Sequence, residues 1–301
     1  MPVDTKNRAL GALLGLAVGD ALGAPLEFTR RDTLPEVRDL IGGGPFRLKP
    51  GEWTDDMSMA LCLADSLIAC RALDPADLLR RFVGWQREGD NSVTGRCFDI
   101  GVTTSRSLAR FERSGQTEAG PEDPHQAGNG SLMRLAPVAL FAASDAVRAA
   151  ELAELQSRTT HPAPVAHDAC RFFAELLVEA IGGATKHEVL RTRPWGGAPE
   201  IVAIAGGNWR GKTREQISSS GYVVHTLEAA LWCVERSSGF EEALILAVNL
   251  ADDSDTVGAV TGQLAGALWG KSGIPGRWLE QLAWRERIEG RAEALIGVGS
   301  T

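Results

Sequence analysis

The chain has 301 residues, enough for one large domain or two small ones with a buried core. Its hydrophobic share of 44% and charged share of 23% are those of a soluble globular protein, and an aromatic share of only 6% beside 34 Gly favours closely packed helices over a β-sandwich. The net charge is −8 and no basic stripe occurs, which argues against a nucleic-acid partner. A phosphorylated ligand would therefore need glycine-rich turns, helix N-termini or bound cations.

The first predicted element is a helix over residues 7–23 that carries a ridge of small residues. Asp20 interrupts its apolar run and Glu27 follows it, so we expect a buried helix rather than an export signal. No other apolar stretch approaches the length that spans a bilayer, and no membrane association is expected. The small residues recur at every fourth position, which lets another helix approach closely: Gly11, Gly15, Gly19 and Gly23.

Helical periodicity of the apolar residues predicts the elements that follow. No strand pattern, linker or internal repeat is found, which predicts one all-α domain over residues 1–301. Three long loops, 42–55, 114–130 and 192–220, are rich in Gly, Pro or polar residues and are expected to be functional or mobile. The helices are expected over residues 56–71, 75–88, 101–113, 131–143, 145–157, 163–181, 221–236, 239–249, 255–269 and 275–296.

Five cysteines occur, an odd number, and none belongs to a C-x-x-C pair. Residues of this kind are predicted to be buried free thiols in a reducing cytoplasm. They are Cys62, Cys70, Cys97, Cys170 and Cys233.

Two acidic segments each precede a predicted helix: Thr54-Asp55-Asp56 and Asp253-Ser254-Asp255-Thr256. One interpretation is helix capping, since Thr and Asp stabilise helix starts. In the other interpretation they bind cations, because Asp252, Asp253 and Asp255 would repel one another unless a cation offset them. Their oxygens suit Mg²⁺, Mn²⁺ or Ca²⁺ rather than zinc. If the segments meet in space, their donors suffice for a two-metal site, but the sequence by itself does not show that they meet.

Further motifs lie between and around the acidic segments. They are residues 11–23 with Glu27-Phe28, residues 98–101, residues 128–134, Thr160-His161 and residues 221–224. With the acidic segments, they span nearly the whole chain. Their content and order resemble the ADP-ribosylglycohydrolase family, and most of all its bacterial enzymes that remove ADP-ribose from an arginine of dinitrogenase reductase.

The resemblance implies an all-α, compact orthogonal helical domain with a cleft that holds two divalent cations, Mg²⁺ or Mn²⁺. It also implies that Asp99 is an acid near the scissile bond, as in arginine-specific members, with helix capping as the alternative role. Glu27 resembles a family carboxylate near the metals, and Asp99, Asp55 and Glu27 are the candidate catalytic residues. The metal ligands implied are Thr54, Asp55, Asp56, Asp253, Asp255 and Thr256.

The resemblance also implies ligand contacts outside the acidic segments. The loop of Gly128, Asn129, Gly130 and Ser131 resembles the family's phosphate-binding loop; glycines let the backbone approach an anion, although the same residues also make an ordinary turn. The only tyrosine, Tyr222, matches a residue that stacks on adenine, and the alternative is a core or interface role. The motif that ends in His161 implies a ligand contact, with a structural role as the alternative.

The sequence departs from the family pattern at two places. Ala251-Asp252 stands where two glycines are usual, which adds an acid beside the expected metal site. Val102 stands where an Asn commonly follows the Asp-Ile-Gly of residues 99–101. The first departure bears on metal preference, and the second bears on the acceptor.

These observations predict an enzyme that hydrolyses the N-glycosidic bond of ADP-ribosylated arginine on a protein and releases ADP-ribose. Asp99 would position or deprotonate the attacking water, or assist the departing guanidinium. The alternatives are hydrolysis of another substrate (serine-linked ADP-ribose, O-acetyl-ADP-ribose or a modified nucleobase), a non-catalytic ADP-ribose-binding protein, and a metal-dependent phosphohydrolase that cuts the pyrophosphate.

Overall fold

The computed structural model describes residues 3–120 and 127–299. Within them the chain is helical, and the only β-pairing consists of isolated bridges. The α-helices are α1 (Val3–Gly23), α2 (Asp55–Cys70), α3 (Pro75–Glu88), α4 (Val102–Ser114), α5 (Ala136–Phe141), α6 (Ala146–Arg158), α7 (Pro164–Ile181), α8 (Lys186–Val189), α9 (Pro199–Ala205), α10 (Val223–Arg236), α11 (Phe240–Val248), α12 (Ser254–Trp269), α13 (Gly276–Gln281) and α14 (Arg285–Gly299). The predicted all-α fold is confirmed.

The antiparallel pair of α1 and α12 forms the centre of the fold. The glycine ridge predicted on α1 faces a second ridge on α12, and the two backbones nearly touch. A Cβ atom added to Gly15 would lie 2.1 Å from the carbonyl oxygen of Gly262, and one added to Gly19 would lie 2.0 Å from that of Gly258. This pairing places the C-terminal end of α1 directly beside the start of α12.

The N-terminal helix is buried, as its sequence predicts. By length and composition the segment Asp4–Leu26 is apolar enough to cross a membrane, but its apolar 18-residue window, with a mean hydropathy of 1.6, is buried inside the protein. One cluster of buried apolar side chains extends from Ala9 on α1 to Leu295 on α14. α1 therefore serves as the core helix around which the others pack.

The helix predicted over 275–296 is wrong as a single element, because tertiary contacts divide it into α13 and α14. Between them Trp284 adopts a left-handed φ of 55° and packs edge-on against Trp53, with the ring centroids 5.3 Å apart. The Ala283 amide donates to the Gly51 carbonyl at 3.0 Å, and the Trp53 indole donates to the Ala283 carbonyl at 3.3 Å. These contacts pack the break between α13 and α14 against the loop that precedes α2.

Other boundaries also differ from the prediction. The helix expected over 131–143 is shortened to α5, because residues 128–134 form turns at the cavity described below. The segment 192–220 is not a continuous loop, since it contains α9. The loop expected over 114–130 includes residues 121–126, which lie outside the described residues.

All five cysteines are free thiols, but they are not all buried as predicted. Cys62, Cys170 and Cys233 are buried, whereas Cys97 is half-buried. Cys70 is exposed because it ends α2 next to a left-handed residue, Arg71, at the surface.

Candidate active site

The two acidic segments, two hundred residues apart in sequence, meet at the C-terminal end of α1. The Thr54 hydroxyl oxygen lies 3.1 Å from Asp255 Oδ2, and the Thr256 hydroxyl oxygen lies 3.5 Å from Asp56 Oδ2. Thr54 and Asp253 occupy the N-cap positions of α2 and α12, but neither side chain caps its helix. These side chains instead converge on one buried cluster, so capping alone does not account for them.

Asp20 of α1 positions the start of α2 and was not among the predicted site residues. Its Oδ1 accepts hydrogen bonds from the Thr54 amide at 2.7 Å and the Thr54 hydroxyl at 2.9 Å, while its Oδ2 accepts one from the Met57 amide at 3.0 Å. Burial, followed by the charge of Asp255, raises the pKa of Asp20 to about 8. The only sequence signal for this role is a single acid inside a long apolar run.

Glu27 joins the second acidic segment rather than the first. Carboxylate oxygens of Glu27, Asp253 and Asp255 all lie within 4.8 Å of one another. Glu27 Oε2 also accepts a hydrogen bond from the Ser254 amide at 2.9 Å. Burial and the neighbouring charge of Asp255 raise the pKa of Glu27 far above its usual range.

The electrostatics of the acidic cluster fit a cation. Burial, followed by Asp255, raises the pKa of Asp55 well above its ordinary value and raises that of Asp253 to about 7. Burial, followed by the charge of Asp20, raises the pKa of Asp56 well above its ordinary value. Asp56 Oδ1 is buried and has no hydrogen-bond partner among the described residues. Several desolvated, mutually repelling carboxylates with hard oxygen donors are the environment that Mg²⁺ or Mn²⁺ stabilises.

A cavity of about 420 Å³ opens over this cluster. Thr54 and Asp56 lie behind its wall, whereas most of the other predicted site residues reach its surface. The predicted residues that line it are Glu27, Asp55, Asp99, Gly128, Asn129, Gly130, His161, Asp253, Asp255 and Thr256.

Asp99 lies beside the cluster at the cavity surface, at a strained backbone position. Its φ is 60°, and α4 begins three residues later, at Val102, with Gly101 at the N-cap and no side-chain cap. Asp99 therefore does not cap this helix. Burial, then the charges of Asp55 and Asp255, raises its pKa to about 11.

The loop of residues 128–131 contributes to the site in two different ways. The Asn129 side chain donates to Asp253 Oδ2 at 2.7 Å and to the Thr226 hydroxyl at 2.8 Å, so it orients an acid of the cluster. The Ser131 hydroxyl instead faces the core, 2.8 Å from the Ser157 hydroxyl. The backbone of Gly128 and Gly130 forms the part of the loop at the cavity surface.

His161 lies under this loop, 3% exposed, and lines the cavity. Burial and, next, the positive charge of Arg134 lower its pKa to about 3, so the ring is neutral.

Tyr222 lies beside the cavity and is not among the described residues that line it. Its backbone pairs with Gly128 through a β-bridge, and its ring contacts His225 edge-on with the ring centroids 5.1 Å apart.

Comparisons with known proteins identify the family of the chain. A family model described as ADP-ribosylglycohydrolase matches residues 1–301. The chain belongs to the ADP-ribosylglycohydrolase family. It is 49% identical over 295 residues to an ADP-ribosylarginine hydrolase Tri1 of Pseudomonas putida (strain GB-1), with 98% of this chain and 79% of that protein covered.

Other ADP-ribosylglycohydrolase relatives are similar over nearly their whole length. The ADP-ribosyl-[dinitrogen reductase] glycohydrolase of Rhodospirillum rubrum is 35% identical over 306 residues, which cover 97% of this chain and 96% of that protein. A solved structure titled ADP-ribosylglycohydrolase-related protein complex superimposes with a TM-score of 0.88 at 45% identity, covering 98% of this chain and 99% of its own. The likeness therefore extends to the fold as a whole.

The two departures from the ADP-ribosylglycohydrolase pattern have identifiable places in the structure. Ala251 and Asp252 have φ values of 59° and 67°, the left-handed region that glycine adopts most easily. Asp252 pairs with Glu27 through a parallel bridge, and its exposed side chain lies at the cavity edge, outside the three-carboxylate group. Val102 begins α4 at the cavity and is 66% exposed.

Proposed function

We propose that this protein hydrolyses the N-glycosidic bond between ADP-ribose and an arginine side chain of a protein, and that it requires divalent cations. The observation that carries the proposal is the convergence of the two acidic segments and Asp99 on one cavity. Relatives that are 49% and 44% identical over nearly all of this chain bear the name ADP-ribosylarginine hydrolase, which supports arginine as the acceptor.

Two Mg²⁺ or Mn²⁺ ions are the proposed cofactors. Bound there, such ions would lower the pKa of a water molecule and orient the ribose hydroxyls. The proposed ligands supply side-chain oxygens from both acidic segments, and Glu27 lies close enough to Asp253 and Asp255 to join them. They are Thr54, Asp55, Asp56, Asp253, Asp255 and Thr256.

We assign the proton transfers to Asp99. Cleavage of an N-glycosidic bond develops positive charge on the ribose, and a carboxyl group near the anomeric carbon positions the attacking water or holds a proton for the leaving group. Asp99 lines the cavity beside the cluster, and burial followed by the charges of Asp55 and Asp255 raises its pKa. A carboxyl group whose pKa responds this strongly to the charges of the cluster is suited to proton exchange at the reacting atoms.

The remainder of the ligand is held away from the reacting bond. The half-buried backbone at Gly128 and Gly130 and the ring of His161 form the proposed site for the phosphates, and Tyr222 beside them is the proposed stacking partner of adenine. Binding energy from these parts would align the anomeric carbon with Asp99.

The test is release of ADP-ribose from an arginine-modified protein, measured with Mg²⁺, with Mn²⁺ and with a chelator. We expect turnover with a divalent cation and none with the chelator. Parallel assays on serine-linked ADP-ribose and O-acetyl-ADP-ribose test the acceptor, and product analysis distinguishes ADP-ribose from AMP. AMP as the product, or equal turnover with the chelator, would overturn the proposal.

Variants separate the roles of the acids. Asp55→Ala and Asp255→Ala are expected to abolish turnover and weaken Mn²⁺ binding in calorimetry, because each removes an oxygen donor of the cluster. Asp99→Ala is expected to reduce kcat by a factor of about 100 or more while ADP-ribose still binds, because Asp99 acts in proton transfer. Full activity in both cluster variants would exclude the metal-dependent mechanism.

We further propose one domain over residues 1–301 and a cytoplasmic location. The continuous apolar cluster from Ala9 to Leu295 supports the single domain. The five free thiols support a reducing compartment. The proposed partner is an ADP-ribosylated protein, and no nucleic acid or membrane is expected to take part.

A further inference from the structure

Arg134 is fully buried behind the cavity and has no carboxylate within salt-bridge distance among the described residues. Its Nε donates to Gln156 Oε1 at 2.9 Å, and its guanidinium carbon lies 4.5 Å from the centroid of the Phe82 ring. Burying a cation without an anionic partner costs free energy. The position of this charge therefore calls for a role beyond packing.

Arg134 is joined to His161 through one hydroxyl group. Its Nη2 donates to Thr160 Oγ1 at 2.9 Å, and that oxygen lies 2.8 Å from His161 Nδ1. A guanidinium only donates, so Thr160 Oγ1 accepts from Arg134 and keeps one proton of its own. Among the described residues, His161 Nδ1 is the only acceptor within hydrogen-bond distance of the Thr160 hydroxyl. Nδ1 therefore accepts, and the ring proton of the neutral histidine lies on Nε2.

The Nε2 atom faces the glycine loop at the cavity wall. A Cβ atom added to Gly130 would lie 3.1 Å from it, and one added to Gly128 would lie 3.4 Å from it. No protein acceptor within the described ranges lies at hydrogen-bond distance from Nε2, although the ring is 97% buried. An N–H group of a buried residue that reaches a cavity surface without a protein acceptor points to an acceptor on the ligand.

We propose that Arg134 and Thr160 are positioning residues which fix His161 as a neutral Nε2–H donor, directed at a phosphate oxygen of the ligand in the cavity. The identity of the ligand rests on the proposed function, whereas the hydrogen-bond relay does not. The charge of Arg134 polarises the Thr160 hydroxyl and so strengthens the bonds that follow it. A side chain at Gly130 would crowd the ring, since its Cβ would lie 2.8 Å from His161 Cε1, which accounts for the glycine at that position.

The tautomer of His161 is measured by nitrogen-15 NMR on histidine-labelled, ligand-free protein. We expect the Nε2–H form in the wild type and in Thr160→Ser, and a shift toward the Nδ1–H form or a mixture in Thr160→Val. Thr159→Val is the matched control, because Thr159 is also buried and its hydroxyl lies 3.5 Å from Arg134 Nη2 but does not bond to His161. An Nδ1–H wild type, or the same shift in Thr159→Val, would overturn the relay.

Binding of ADP-ribose by calorimetry tests the second half of the proposal. Loss of the oriented donor is expected to raise the Kd about tenfold or more in Thr160→Val, with recovery in Thr160→Ser and no change in Thr159→Val. In the turnover assay KM should rise while kcat changes little, because His161 lies away from the reacting bond. An unchanged Kd in a folded Thr160→Val protein would refute the contact with the ligand. Failure of the wild type to bind ADP-ribose would contradict the proposed function, and the NMR measurement would still decide the relay.

Discussion

At the scale of single residues, Asp20 links three parts of the site through one carboxylate. It lies on α1, accepts hydrogen bonds from Thr54 and Met57 at the start of α2, and its pKa is shifted by the charge of Asp255 on α12. Removing a group that holds a metal ligand in place typically lowers metal affinity about 10- to 100-fold. The position of the acidic cluster therefore depends on a residue at its periphery.

Asp20→Asn is expected to weaken Mn²⁺ binding about 10- to 100-fold and to lower turnover, because the amide keeps only one of the two acceptor oxygens. Calorimetry with Mn²⁺ and the ADP-ribose release assay are the measurements. Asp252→Asn is the control, since it removes a nearby charge that makes no side-chain hydrogen bond in the cluster. Equal losses in both variants would attribute the effect to net charge and contradict the positioning role.

Ala251 carries local backbone strain, since alanine is disfavoured at its φ of 59°. Ala251→Gly is expected to raise the free energy of unfolding by about 1 kcal/mol, because glycine adopts this conformation without steric cost. Urea denaturation measures the difference. In the control Ala203→Gly, at an exposed position on the helix α9, the same exchange should lower stability by about 1 kcal/mol. A loss of stability in both variants would exclude strain at position 251.

At the scale of elements, the α1–α12 pair fixes where the acids meet. Its two glycine ridges allow the backbones to approach so closely that the end of α1 and the start of α12 become neighbours. α2 then begins against α1 through Asp20. The geometry of the site is thus a consequence of helix packing through small residues.

Gly15→Ala is expected to destabilise the protein by about 2–3 kcal/mol, because its Cβ would lie 2.1 Å from the Gly262 carbonyl oxygen and force the helices apart. The same exchange at Gly290 on α14, where an added Cβ meets nothing within 4 Å, should stabilise by up to about 1 kcal/mol through helix propensity. Urea denaturation of both variants tests this expectation. Equal stability of the two variants would show that the close approach is unimportant.

At the scale of the whole molecule, the buried acids make stability depend on pH and on cations. In the metal-free protein burial and nearby charges raise the pKa of Asp20 to about 8 and that of Asp253 to about 7, from an ordinary value of 3.8. Between the ordinary and the raised values the folded state binds more protons than the unfolded state. The free energy of unfolding therefore falls as pH rises, by about 1.4 kcal/mol for each pH unit and group.

With a chelator present, the protein is expected to be more stable at about pH 5 than at about pH 8. Saturating Mn²⁺ at the higher pH should restore stability, by about 2.7 kcal/mol for one site at 100 times its Kd. Urea denaturation at both pH values, with and without Mn²⁺, is the measurement. A rise in stability from pH 5 to pH 8 in the chelator would contradict the raised pKa values.

The sequence determined the helical fold, the buried α1 with its glycine ridge, and the residue types of both acidic segments, because periodicity, spacing and donor chemistry are local properties. Tertiary structure decided what local patterns do not encode. It placed Thr54 next to Asp255 and added Asp20 to the site. It also directed the Ser131 hydroxyl toward the core and divided the last predicted helix at Trp284. The physical reason is that such contacts join residues distant in sequence, whose free energy of interaction exists only after the helices have packed.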